Sequence, residues 1–437
     1  MKIKVKPNEK CARPMRDILG MNNVSRITSS VVTEREIPRF DALRLAHIRF
    51  HDAPLDNPGQ KLLDISRIFP LFHLDEEDER NYFFLQTDDY MRSIAHSDAE
   101  IDFRLGETID HSGNQRLIGV PADIEKWARI CRRIIGHYKN GEMHGMHLNI
   151  KRISVWEEPN NPKLFSGAVE QYTEMFCAVY RLVKKDFPDI KVGGPTVTKS
   201  GALFTDAFLS LCKMQGIVPD FVSSTAYPMS VEELHAYVDP HLAVMEKHGL
   251  SDTEFMLAEL HYGVADWTRT AYAEENGFYN EKSASFITSA LIELENMEKI
   301  AAAYYYSWAT SVWSVMNLRQ GASPLLPLYY GLLFFQSLAK DCERVRVETD
   351  ASLPAKLLCG KTSDGRVRLL VSCHECEAQD IEIRIPCAAG ALVKSIAADF
   401  SEAAATEGIY LKAEGGAVKL SHAGGCGVYL LEFDITL

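Results

Sequence analysis

The chain has 437 residues, 46% of them hydrophobic and 24% charged, which is enough apolar material for a full core and excludes disordered and fibrous classes. At roughly 150 residues per domain, or about 250 for a single α/β barrel, this length predicts one large domain with a smaller companion. Lys and Arg number 47 against 60 Asp and Glu, a net charge of −13, which makes nucleic acid and anionic membranes poor partners, because affinity for phosphate rests on Lys/Arg neutralisation.

In chain order, the first signal is the alternation of Ile3 and Val5, which predicts a strand within residues 1–14 that crosses over to join a sheet elsewhere. No apolar run of about 7–15 residues with a small-residue cleavage site follows Met1, so no secretory signal is expected and the mature chain is expected to start here. Residues 15–337 alternate short apolar or β-branched segments with amphipathic helical ones, the habit of βα units and a parallel sheet. One helix opens after Pro121 with Asp123 as cap, carries Ile124, Trp127, Cys131, Ile134 and Ile135 at helical spacing, and stops at Gly141. A second presents Val169, Tyr172, Phe176, Val179 and Val183 and halts before Pro188; a third presents Phe286, Ala290, Leu291, Leu294 and Ile300. Strands are expected at Ile153–Trp156, Ile190–Gly194, Asp220–Tyr227, Glu254–Leu260 and Ala302–Trp308, a spacing that suits a (β/α)8 barrel. The most apolar stretch, Pro324 to Gln336, falls well short of the ~20 residues that span a bilayer. From residue 338 to 437 period-two alternation takes over (Val367, Leu369, Val371; Ile381, Ile383, Ile385; Val428, Leu430), which predicts an accessory β-sandwich with turns near Cys373–Gln379 and Gly424–Gly427. Ten scattered cysteines without an export signal point to a reducing, cytoplasmic compartment.

Chemistry concentrates at strand ends. Ile153-Ser-Val-Trp-Glu-Glu-Pro-Asn160 sets adjacent carboxyls at the C-terminal end of a strand, which in an α/β barrel is the catalytic face, and Glu259 ends a second apolar strand. Two such acids are what glycoside hydrolysis needs, one to protonate the leaving oxygen and one to attack or to activate water. Residue type alone leaves a solvated or loop-bonded strand-end Glu as an equal reading.

With these motifs in order, the sequence resembles glycoside hydrolase family 39, the β-xylosidases and α-L-iduronidases. Met21-Asn-Asn-Val, Arg49-Phe-His-Asp52, Asp64-Ile-Ser-Arg-Ile-Phe-Pro70, Phe103-Arg-Leu-Gly-Glu107 and Trp156-Glu-Glu-Pro-Asn160 are similar to its successive motifs. The resemblance implies a (β/α)8 barrel with an accessory β-sandwich and no cofactor or metal. It implies Glu158 as general acid/base and Glu259 as nucleophile of a retaining double displacement. By the same resemblance Arg49 would hold Glu259 ionised, with a barrel-interior salt bridge as the equal alternative. His51 would contact a sugar hydroxyl, Tyr227 would hydrogen-bond the nucleophile, and Trp308 would form an aromatic floor. Asp52, Asn160 and Phe165 complete the expected sugar pocket.

Three departures bear on the substrate. Glu157 stands where the family has Asn, replacing a donor by an acceptor-only carboxylate unless it is protonated. Thr225 takes the family's His position in the sixth-strand motif, and the loop Ala309-Thr-Ser-Val-Trp-Ser-Val-Met-Asn317 lacks the xylosidases' acidic residues, while Trp313 in it suggests a stacking leaving group. Cys373-His-Glu-Cys376 lacks a second pair for zinc, His144-Gly-Met-His147 lacks metalloprotease spacing, Gly193-Gly194-Pro195 reads as a rim turn, and Asp75–Arg80 as a solvated loop. The expectation is a cytoplasmic, cofactor-independent, exo-acting β-glycosidase with a small carbohydrate as its partner and homo-oligomerisation left open. The rivals are a glycosidase of altered sugar specificity and a carbohydrate-binding pseudoenzyme.

Overall fold

The computed structural model describes residues 1–23, 31–51, 62–95, 97–108, 117–263, 276–308, 313–316, 324–350 and 354–435. Nine strands form one parallel sheet: β2 (Leu19–Asn22), β3 (His47–Phe50), β4 (Glu100–Leu105), β5 (Ile150–Val155), β6 (Lys191–Gly193), β7 (Thr196–Val197), β8 (Phe221–Ala226), β9 (Glu254–Leu260) and β10 (Ile300–Tyr305). The order runs β6-β5-β4-β3-β2-β10-β9-β8-β7, so the short pieces β6 and β7 stand at its two ends. They are halves of one strand interrupted at Gly194-Pro195, where Gly194 has φ +145, and the sheet closes on itself as an eight-stranded barrel. The Asp220 N–H donates to the Val192 carbonyl at 3.0 Å across the closure.

Helices cover the outside as their spacing requires. Helix α4 (Ile124–Asn140) is capped by Asp123, whose carboxylate accepts from the Lys126 N–H at 2.8 Å, and ends at left-handed Gly141. Helix α5 spans Val169–Asp186. The third expected helix is Glu281–Asn296, here α8; Ile300 is not its last apolar contact but the first residue of β10, because the chain turns at Met297.

Strand β1 (Lys2–Lys10) pairs antiparallel with β11 (Cys342–Thr349) and parallel with β14 (Gln379–Arg384), within a second, mixed nine-stranded sheet. That sheet folds as a β-sandwich around Ile3, Val5, Val367, Leu369, Val371, Ile381, Ile383, Leu431 and Phe433, so the fold is a (β/α)8 barrel with an accessory sandwich. The expected turns at Cys373–Gln379 and Gly424–Gly427 narrow to Glu377–Ala378 and Ala423–Gly424, and the rest is strand: β13 (Val367–Cys376) pairs with β18 (Gly425–Ile435) across a bulge that absorbs Glu375 at φ 52. Helix α8 cements barrel to sandwich: the Ser289 hydroxyl donates to Ser372 Oγ at 2.9 Å, and Glu293 pairs with Lys356 at 2.7 Å. Among the described residues no helix is long and apolar enough to cross a membrane.

Candidate active site

The barrel interior carries buried charge in layers. Arg49 on β3 and Asp102 on β4 are register neighbours and fully buried, with Arg49 Nε 3.6 Å from Asp102 Oδ2. Ser154 on β5 donates to both Asp102 oxygens, at 2.8 and 2.7 Å. Burial raises the Asp102 pKa against the pull of Arg49 and Ser154.

Above this layer β5 ends in a strained turn. Trp156 and Glu158 have positive φ, 64° and 39°, conformations of which each costs of order 1–3 kcal/mol and which persist only where packing enforces them. The Trp156 indole supplies that packing: Nε1 donates to the Leu164 carbonyl at 2.9 Å and the ring lies against Phe165 (5.3 Å) and Trp127 (6.1 Å). Gly106, at φ 131, is required beneath it, since a Cβ there would come within 2.9 Å of the indole. With Trp156 pinned, Glu157 and Glu158 diverge.

Glu157 turns into the barrel. Its Oε2 accepts from Arg49 Nη2 and lies 3.4 Å from His51 Nδ1; its Oε1 is buried and without a hydrogen-bond partner among the described residues. Burial pushes its pKa up to about 7 against the opposing charges of Arg49 and His51. Burial also works against the Arg49 charge, but Glu157 and Asp102 outweigh it and hold the guanidinium firmly protonated. Of the two expectations for Arg49, the barrel-interior salt bridge is the one its pairing with Asp102 and Glu157 matches, and the Glu259 charge adds to holding it protonated.

Glu259, at the end of β9, is gripped on both oxygens: Oε1 lies 2.8 Å from His51 Nε2, and Oε2 accepts from the Tyr227 hydroxyl. Glu158 points across to β8, where Thr225 Oγ1 donates to Oε1 at 2.8 Å and Asn161 Nδ2 donates to Oε2 at 2.9 Å. Burial first, then the Glu259 charge, raise the Glu158 pKa, and the two donors pull the other way. Glu158 remains partly exposed while Glu157 and Glu259 are buried. Such a face holds one carboxyl biased toward its neutral form and another oriented by two donors. His51, Glu157 and Glu259 each offer a ligand atom within 4.8 Å of the others, a span a cation could bridge, but each imidazole nitrogen already faces a different carboxylate and Arg49 supplies the positive charge.

Other expected pocket residues sit elsewhere or act differently. Thr225 addresses the Glu158 carboxyl, where a sugar contact was expected. Asn160 is turned away: it donates to Thr198 Oγ1 at 2.7 Å and accepts from the Thr198 N–H at 3.1 Å, tying two loops together. Phe165 is core, packed between Trp156 and Tyr172. Trp308 has no exposed surface; its ring meets Phe40 edge-on at 4.9 Å, so it lines the barrel wall where an open floor was expected. Trp313 packs on Tyr306 at 6.0 Å, and Tyr306 in turn lies 5.9 Å from His51 and 6.4 Å from Tyr227. Asp52 lies outside the described residues. Sequence reasoning passed over Asn161, three residues beyond Glu158 in a Pro-Asn-Asn turn, and Tyr306, whose only signal is its place directly after the last barrel strand.

Residues 107–252 match the family model described as Glycosyl hydrolases family 39, a segment holding Glu157, Glu158, Thr225 and Tyr227 but neither Glu259, nor Arg49 on β3, nor His51 just after it. The chain is 29% identical over 109 residues to a β-xylosidase of Geobacillus stearothermophilus, covering 24% of this chain and 21% of that protein. It is 20% identical over 290 residues to a β-xylosidase of Caldicellulosiruptor saccharolyticus, covering 60% of this chain and 56% of that protein. The matches thus span about a fifth and just over half of the length of these relatives. A glucosidase structure from Croceicoccus marinus superposes with a TM-score of 0.78 at 18% identity, covering 100% of this chain and 99% of that one, a likeness of fold. Over residues 107–252 the chain is thus similar to the glycosyl hydrolases of family 39, and its barrel-plus-sandwich fold is like that of a glucosidase.

Proposed function

We propose that the protein is a retaining, exo-acting β-glycosidase of β-xylosidase type, working through Glu158 and Glu259. The observation that carries this reading is the contrast between the two carboxyls. Glu158 is biased toward its neutral form by burial and by the Glu259 charge, while Glu259 is aligned by His51 and Tyr227. In the first step Glu158 gives its proton to the glycosidic oxygen as the bond to the anomeric carbon breaks, and a Glu259 oxygen forms the ester bond to that carbon. In the second, ionised Glu158 takes a proton from water, the water oxygen attacks the anomeric carbon, and Glu259 leaves as carboxylate. Two inversions give net retention.

Glu157 is the poorer candidate for the acid, because its Oε2 is held by a buried guanidinium and it is more deeply enclosed than Glu158. None of the ten cysteines, all among the described residues, is disulfide-bonded, which supports a cytoplasmic enzyme acting on short, imported glycosides. The test is turnover of aryl glycosides (β-xyloside, β-glucoside, β-galactoside, α-L-arabinoside, α-L-iduronide) with Glu259→Ala as the blank. Activity on one member that vanishes in the blank names the sugar. On Glu158→Ala, azide should restore turnover of an activated aryl glycoside and yield the β-glycosyl azide; near-normal activity without azide removes Glu158 from the mechanism.

A further inference from the structure

The proposed mechanism leaves a separate cavity unused. It holds about 470 Å³ near the C-terminal ends of β4 and β5, with Phe69, Phe72, Trp127 and Trp156 among the side chains that line it. None of His51, Glu157, Glu158, Tyr227 and Glu259 lines this space. A concave, mainly apolar volume of that size with few polar groups is the usual form of a small-molecule site. Glu107 is the one ionisable residue in the lining, buried but with 8% of its surface exposed. Ser66 donates to both carboxyl oxygens, through its N–H at 3.0 Å and its hydroxyl at 2.5 Å, an arrangement that suits the ionised form. What the ionised form lacks is a cation beside it in the cavity. Arg104 is spent on Asp64, 3.3 Å from Nη2, and does not line the space. Lys126, whose Nζ stands 5.6 Å from the centre of the Phe72 ring, donates to the Leu74 carbonyl at 2.6 Å and pairs with Glu76 at 3.2 Å. Burial, and then the Asp64 charge, push the Glu107 carboxyl up to about 8, so near neutral pH an arriving cation ionises it at small cost.

We propose that this cavity binds a small arylalkyl amine, its ammonium paired with Glu107 and its ring packed among Phe69, Phe72, Trp127 and Trp156. The ammonium donates to the carboxylate in a charge-assisted hydrogen bond, which is roughly twice as strong as a neutral one, and aromatic side chains attract a cation further. A neutral alcohol of the same shape buries the same apolar surface without either gain. An arylalkyl carboxylate adds a third negative charge to those of Glu107 and Asp64.

The experiment is calorimetric titration of the full chain with 2-phenylethylamine, 2-phenylethanol and 3-phenylpropionate, at about pH 8, where an alkyl ammonium keeps its proton. The amine should bind the wild type more tightly than the alcohol by about tenfold or more, and the carboxylate should bind most weakly. Glu107→Gln should bring the amine and the alcohol to similar affinity. Ala122→Trp, at an exposed position of the lining, should weaken the amine at least tenfold by filling the space. Absence of amine binding, equal affinity for amine and alcohol in the wild type, or an amine affinity that Ala122→Trp leaves intact each overturns the proposal. The wild-type preference and the Ala122→Trp result decide the matter even if Glu107→Gln fails to fold. Glu259→Ala, outside the cavity, should bind the amine as the wild type does; loss of binding there moves the amine to the proposed active site and overturns the assignment.

Discussion

His51 holds Glu259 through Nε2 at 2.8 Å while its other nitrogen faces the Glu157 carboxyl at 3.4 Å. A neutral imidazole carries one proton, so two carboxyl groups facing both nitrogens need a second, on the ring or on Glu157.

Removing that link should cost catalysis more than stability. His51→Ala should lower kcat/KM for the best aryl glycoside by about ten- to a hundredfold, the worth of one hydrogen bond to a charged group. Steady-state kinetics beside a melting curve checks this, and a variant with full activity removes His51 from the site.

The pH profile should report Glu158. Its folded pKa is raised, and on the proposed mechanism the first step needs it protonated, so kcat/KM should fall as pH rises through that pKa. The Thr225 hydroxyl favours the ionised carboxylate, so Thr225→Val should raise the pKa further and move the basic limb to higher pH. A sugar-binding Thr225 would change KM and leave the limb in place.

Arg49 should matter to the fold. Arg49→Leu leaves Glu157 and Asp102 buried without their guanidinium, a loss of about 3–5 kcal/mol by the usual cost of breaking a buried pair. The fall in melting temperature should be partly recovered in the double variant Arg49→Leu/Glu157→Gln, since one of the stranded charges is then gone; additive losses would show that the two side chains do not interact.

Glu107 should make stability pH-dependent. Burial, and then the Asp64 charge, push its carboxyl from the ordinary 4.5 up to about 8, although Ser66 donates to both of its oxygens. The folded state therefore binds this proton more tightly than the unfolded chain. Its stabilising effect is whole below about pH 4.5 and is lost progressively as pH rises through about 8. Glu107→Gln, which keeps an acceptor for the Ser66 N–H, should flatten the melting temperature across that window; an unchanged slope places the titration elsewhere.

The alternating βα pattern, the capped helix at Asp123–Gly141 and the strand-end position of Glu158 and Glu259 were legible because each rests on local periodicity or on residue type at the end of an apolar run. So was the change of texture near residue 338. What failed did so for want of partners. Ile300 continued a helical stripe in sequence but pairs with Phe255 in the sheet. Asn160 looked like a pocket residue from its motif, yet its amide faces Thr198; Trp308 and Phe165 looked like sugar contacts, yet their rings are closed into the core.

The sequence by itself determined which residues could carry chemistry and which strand ends they occupy, because a strand's period and its end are properties of neighbouring residues. Only the tertiary structure decided that Arg49 answers Glu157, that Thr225 and Asn161 hold Glu158, and that Glu157 has one buried oxygen without a hydrogen-bond partner among the described residues. Those pairings join residues of different strands or lie across a turn whose direction Trp156 sets, and with Gly106 beneath the indole they exist only once the barrel has closed.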